Sequence, residues 1–163
     1  MPKTYTLIAS QTLTTATASL DFNTISGNYT DLVLQALASN NSSGAESFRL
    51  RFNSDTGTNY SDIRMYGNGS TTVSNQRSNE SYAHAGINGN SSTDFTVHTI
   101  NIQNYSNSTT YKSVISSSSW ASNYVNASVC LWRNTNAITS INISCLATFR
   151  IGSIFTLYGI EEA

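Results

Sequence analysis

Two aspartates, Asp55 and Asp62, bracket Gly57, Asn59 and Tyr60 in the stretch FRLRFNSDTGTNYSD. Carboxylate and amide oxygens this close together could hold a calcium ion or grip the hydroxyls of a sugar. A calcium loop, however, needs about six oxygen ligands, with several carboxylates at alternate positions. Here no third acid lies near the pair. Asp and Asn also build Asx-turns and Gly accepts a positive φ, so the spacing favours a turn between strands. His84 and His98 are the only histidines, and neither sits in an HExxH, GxSxG or phosphate-loop context. His98 reads as a structural or surface residue, and His84, in a polar segment, as exposed. Nothing selects a glycosidase pair among the nine acids. The expectation is a protein without catalytic residues, metal or cofactor. Cys130 and Cys145 lack metal-ligand spacing and read as buried free thiols; whether they ever pair is left open.

The residue types with more to offer are aromatic. Tyr60, Tyr66, Tyr82, Tyr105, Tyr111, Trp120 and Tyr124 lie in or beside polar segments. Such rings stack on sugars or anchor protein interfaces, where Tyr, Trp and Arg are the usual hot spots. Arg49, Arg51, Arg64 and Arg133 are suitable companions. The candidate interface set is Arg49, Arg51, Tyr60, Arg64, Tyr66 and Trp120.

These side chains need elements to position them, and the composition says which. Charged residues are 10% and the net charge is −1, so the chain has no electrostatic footprint for nucleic acid and no polybasic membrane patch. Apolar residues are only 39%. Ser, Thr and Asn make up the difference, and they favour turns over helix interiors. No apolar run approaches a membrane span. The opening MPKTYTLIASQ lacks a long apolar core for a signal peptide, so folding in the cytoplasm is expected. Sequons recur, Asn142 among them, and follow from the Asn, Ser and Thr bias.

Period-two alternation marks the strands. Phe48, Leu50 and Phe52 face one way in SFRLRFN, with Arg49 and Arg51 opposite. DLVLQALAS reads as a strand with Leu32, Leu34 and Ala36 together. In FTVHTINIQNY the phase slips between Val97 and Ile100, predicting a bulge near His98 and Thr99. Residues 67–92 hold four of the nine glycines and read as long loops with one short strand near SYAHAG. The prediction is a single all-β domain over 1–163, an antiparallel jelly-roll-like β-sandwich of about eight strands.

Five stretches carry a resemblance. YTLIASQTLTTATASLDF, YTDLVLQ, LRFNSDTGTNYSD, AITSI and GSIFTLYGI, in this order, resemble a group of small structural proteins of tailed phages, cyanophages included. The resemblance spans almost the whole chain and rests on order and spacing. It implies a jelly-roll particle protein without enzymatic activity. The expected role is a capsid decoration (cement) protein on the outer surface of the virion, a homotrimer bridging subunits of the major capsid protein. The alternative is a receptor-binding module of a head or tail fibre that recognises a host surface glycan.

Overall fold

The computed structural model describes residues 4–121 and 124–161. They form no helix. The twelve strands are β1 (Tyr5–Thr12), β2 (Thr17–Phe22), β3 (Asp31–Ala38), β4 (Glu46–Phe52), β5 (Tyr60–Gly67), β6 (Thr72–Glu80), β7 (Ala83–Asn88), β8 (Thr96–Gln103), β9 (Lys112–Trp120), β10 (Tyr124–Trp132), β11 (Ile141–Phe149) and β12 (Ile154–Ile160). All pairings are antiparallel. They make an eight-stranded sheet in the order β1-β12-β3-β8-β9-β10-β5-β6 and a four-stranded sheet in the order β2-β11-β4-β7. The jelly-roll-like sandwich is as expected, with more strands than the alternation revealed.

The core lies between the sheets. Leu20 and Phe22 of β2, Phe48, Leu50 and Phe52 of β4, and Ile141 and Ile143 of β11 face Leu32 and Leu34 of β3, Ile100 and Ile102 of β8 and Phe155 and Leu157 of β12. Each set comes from alternate positions, as a strand buried on one face requires. Phe149 meets Phe155 edge-on at 5.1 Å between ring centroids, and Phe48 lies within 6.3 Å of both.

Three sequence expectations are corrected. β8 runs in continuous register with both neighbours. The phase slip at Val97 arises because Val97 faces solvent, 53% exposed, while Thr96, His98, Ile100 and Ile102 turn inward. Residues 67–92 hold two strands. β6 is a polar edge strand, and β7 is buried but built from small residues, so neither carries strong alternation. His84, expected in a loop, is on β7 and buried, whereas His98 is wholly buried and so structural, not a surface residue.

The turn reading of the opening stretch holds, but its positive φ angles fall on Asn53 and Ser54 and not on Gly57. Asp55 accepts hydrogen bonds from the Gly57 amide at 2.8 Å, the Asn59 side chain at 2.9 Å and the Trp132 indole at 2.7 Å. Burial works against the charged carboxylate, but the hydrogen bonds from Asn59, Trp132 and Gly57 outweigh it and hold Asp55 below its ordinary value. Both cysteines are buried and free, and burial raises the Cys130 thiol to about 12.

Candidate functional site

The eight-stranded sheet is wider than its partner. β7 is the last strand of the small sheet, so the inner face of β5 and β6 runs out past it. That overhang holds Arg64 and Arg77, while Arg49 and Arg51 approach its rim from the outer face of the small sheet through Tyr82 and Ser81. Asp62, inward on β5 with a fully buried side chain, lies 3.1 Å from Arg77 Nη2 and 3.5 Å from Arg64 Nε. Burial raises the Asp62 carboxyl above its ordinary value, and the neighbouring arginines only partly offset this. Arg77 also reaches Glu80 at 3.6 Å and donates to the Tyr82 hydroxyl at 3.0 Å. Arg49 lies 4.2 Å above the Tyr82 ring.

Arg64 Nη1 is 2.7 Å from His84 Nε2. A guanidinium only donates, so Nε2 must accept and the imidazole proton sits on Nδ1. Nδ1 has no protein partner. Burial, reinforced by the charges of Arg64 and Arg77, pushes His84 down to about 3, so the ring is neutral. Burial alone does the same to His98. His98 stacks on Phe48 at 4.2 Å and lies 3.5 Å from Asn88 Oδ1.

At the mouth of the overhang a cleft of about 230 Å³ is lined by Ala45, Glu46 and Ser47, by His84 and Ile87, and by Arg64, Tyr66 and Tyr124. Glu46 pairs in register with Asn88 and has the parity of Phe48 and Leu50, which turns it inward. Tyr66 meets Tyr124 edge-on at 6.3 Å, and Tyr124 stacks on Trp120 at 6.0 Å. Trp120 in turn lies flat against Gly89, where an added Cβ would fall 2.5 Å from the indole. Only glycine fits there.

The structure thus brings Arg64, Tyr66 and Trp120 of the sequence-derived set to one place. Arg49 and Arg51 lie on the outer face of the small sheet, half-buried, and Arg51 Nε donates to the Ser81 carbonyl at 2.9 Å. With Asp21 and Asn142 they line a depression of about 510 Å³. Tyr60 is a correction. It is wholly buried, stacked on Trp132 at 6.3 Å, with its hydroxyl accepting from the Phe52 amide at 3.0 Å. An inward position at the start of β5 makes it a core residue that cannot reach a partner. Tyr105 is buried too. Among the described residues no group of three His, Cys, Asp or Glu could hold a metal ion.

Sequence reasoning missed a second surface. On the outer face of the large sheet, Ile115, Val129 and Ile63 lie side by side across β9, β10 and β5. They are 43%, 52% and 58% exposed. Met65, Val125 and Leu131 extend the patch, and two depressions of about 410 and 300 Å³ run along β5 and β10 within it. The outward positions of β8, β9, β10 and β5 include no charged residue. The signal was present in VNASVCLW, where Val125, Ala127, Val129 and Leu131 share one parity. The other parity ends in Cys130 and Trp132, so the sequence did not say which set faced out.

No protein-family model matches the chain, and no curated protein matches it by sequence. Among solved structures, the galectin LEC-6 of Caenorhabditis elegans is similar over 94% of this chain and 96% of that one, at 12% identity and a TM-score of 0.37. At that distance the likeness carries no functional argument.

Proposed function

We propose that this chain is a structural protein of a tailed-phage particle without enzymatic activity, a capsid decoration protein that bridges major capsid subunits. The observation that carries this reading is the charge-free, apolar outer face of β9, β10 and β5. Soluble monomers rarely expose contiguous apolar patches beyond a few hundred Å², and interface cores are depleted in charge. A shell protein is the proposed occupant of that face, since bridging gains strength from added apolar contact area between neighbours. The order of the phage-like motifs supports the same reading, and a homotrimer belongs with it.

The test mixes the purified chain with heads lacking it and follows co-sedimentation. Saturation at many copies spread over the head is the expected result. The double variant Ile63→Asp, Val129→Asp should stay folded and fail to sediment with the heads. Confinement of the protein to the tail or one vertex, or unimpaired binding by the variant, would reject the reading.

A receptor-binding role on a head or tail fibre is the second reading. The Tyr66–Tyr124–Trp120 ladder at the cleft favours it, because aromatic rings beside polar groups suit a host glycan. Adhesion of the labelled protein to host cells tests it, with Trp120→Ala expected to abolish adhesion.

A further inference from the structure

We propose that the overhang cleft is a saccharide-binding site that accepts one neutral sugar residue. It deepens the glycan reading of the same cleft and rests on that reading, not on the shell-docking face.

Three observations point to a neutral polyol. The first is charge. The cleft's own lining holds one arginine, Arg64, and one carboxylate, Glu46, so its formal charges cancel. Arg64 and Arg77 are already committed to buried Asp62, which leaves little attraction for a phosphate or carboxylate. The second is hydrogen-bonding capacity. Buried His84 holds its Nδ1 proton without a protein partner. Asn126, buried and directly opposite Tyr66 in the β-ladder, has an Oδ1 likewise unpartnered. Trp120 Nε1 is a further donor of this kind. Of these residues only His84 lines the cleft. Buried polar groups are nearly always satisfied, so its leftover donor, with the acceptor Glu46 on the same wall, calls for a group that offers both. A sugar hydroxyl does. The third is the pair of tyrosines lining the cleft, Tyr66 and Tyr124, which supply apolar ring surface for the C–H side of a pyranose.

Glu46 has the clearest role. Its carboxylate is half-buried at the cleft wall. As a pure acceptor it would accept hydrogen bonds from two hydroxyls, and charge-assisted hydrogen bonds of this type are the strong ones.

The experiment is saturation-transfer NMR on the intact chain with methyl glycosides of glucose, galactose, mannose and N-acetylglucosamine. At least one should receive saturation and be displaced by its free sugar. Glu46→Gln and Tyr124→Ala, each confirmed folded by near-UV circular dichroism, should weaken binding by about tenfold or more. Val129→Asp on the far face should leave it unchanged. Failure of all four glycosides to bind folded protein, equal binding by both cleft variants, or competition by acetate or inorganic phosphate in place of sugar would overturn the proposal. Loss of co-sedimentation with heads in the face variant, with sugar binding intact, would separate the two functions.

Discussion

Two lines across the inner face of the large sheet show how differently its two halves are packed. One runs Leu157, Leu34, Ile100, Ser116, Ser128, Arg64; the next runs Phe155, Ala36, His98, Ser118, Asn126, Tyr66. At the β12 and β3 end these lines are apolar. At the β10 and β5 end they are polar, and Val125, Ala127, Val129 and Leu131 of β10 are on the outside, with only Cys130 and Trp132 of that strand adding apolar volume inside. The reason lies across the gap. Phe48, Phe52, Phe149 and Ile143 need apolar partners of matching volume. Over β9 and β10 stands β7, AHAGIN, whose small side chains bring its backbone close. Ser116, Ser118 and Ser128 leave room for it. Volume governs one half, and satisfaction of polar groups governs the other. The halves should therefore fail in different ways.

The largest expected difference is in response to acid. His84 and His98, both belonging to the polar half or its border, have folded values of about 3 against an ordinary 6.5. Between those limits the unfolded chain binds protons that the native chain does not. Their contribution is fully present above pH 6.5 and is lost as pH falls toward 3. With both rings acting, stability falls by up to about 2.7 kcal/mol per pH unit. Asp62 works in the opposite direction, because its raised carboxyl takes up a proton earlier in the native state. Urea unfolding at pH 7, 5 and 4 measures the slope. His98→Gln should roughly halve it. A flat profile would mean that the polar half opens to water before the protein unfolds.

Next in size is a change confined to the apolar half. Phe155→Ala removes a wholly buried ring that packs on Phe48 and Phe149. A loss of about 4 kcal/mol is expected from transfer and cavity together, with no change in the acid slope. In the polar half, Asp62→Ala strands Arg64 and Arg77 partly buried. One-sided loss of a buried pair costs about 3–5 kcal/mol; with both guanidiniums still partly exposed at 15% and 21%, the lower end is expected. Thermal or denaturant midpoints of the two variants compare volume with charge directly.

Smaller still is a test of close approach. At Gly86, with φ of 145°, an added Cβ would lie 2.8 Å from Ser118 Oγ and 3.0 Å from His98 Nδ1. Gly86→Ala should cost about 2 kcal/mol, within the usual range for such strain. Adding Ser118→Ala should restore part of that loss. No restoration would mean that backbone conformation, not the Ser118 contact, sets the requirement for glycine.

The apolar half was legible in the sequence and the polar half was not, and the same physics explains both. Phe48, Leu50 and Phe52 alternate with Arg49 and Arg51, so strand, face and turn could all be read. β7 offers only Ala, His, Gly and Asn around one Ile, and its burial depends on what it crosses. β6 is polar on both faces because it is an edge strand, and negative pattern looks like loop. The candidate site inherited this. Arg64, Tyr66, Trp120 and Tyr124 were found by residue type, while Glu46 and His84 join them only through the register of β4 and β7. Tyr60 was misplaced because a tyrosine beside a polar turn looks exposed until its parity is known.

The smallest effect on folding is expected where the effect on association is greatest. Val129 and Ile63 are more than half exposed and adjacent across β10 and β5. A carboxylate at either position keeps its hydration, so Val129→Asp should change stability by no more than about 0.5 kcal/mol. At a docked interface the same carboxylate would be desolvated without a partner, at a cost of several kcal/mol. Equilibrium unfolding and binding to heads, measured on the one variant, should therefore diverge. If stability fell together with binding, the outer face of β10 and β5 would be packed within the free protein, and the contrast between its inverted halves would have to be explained without a partner.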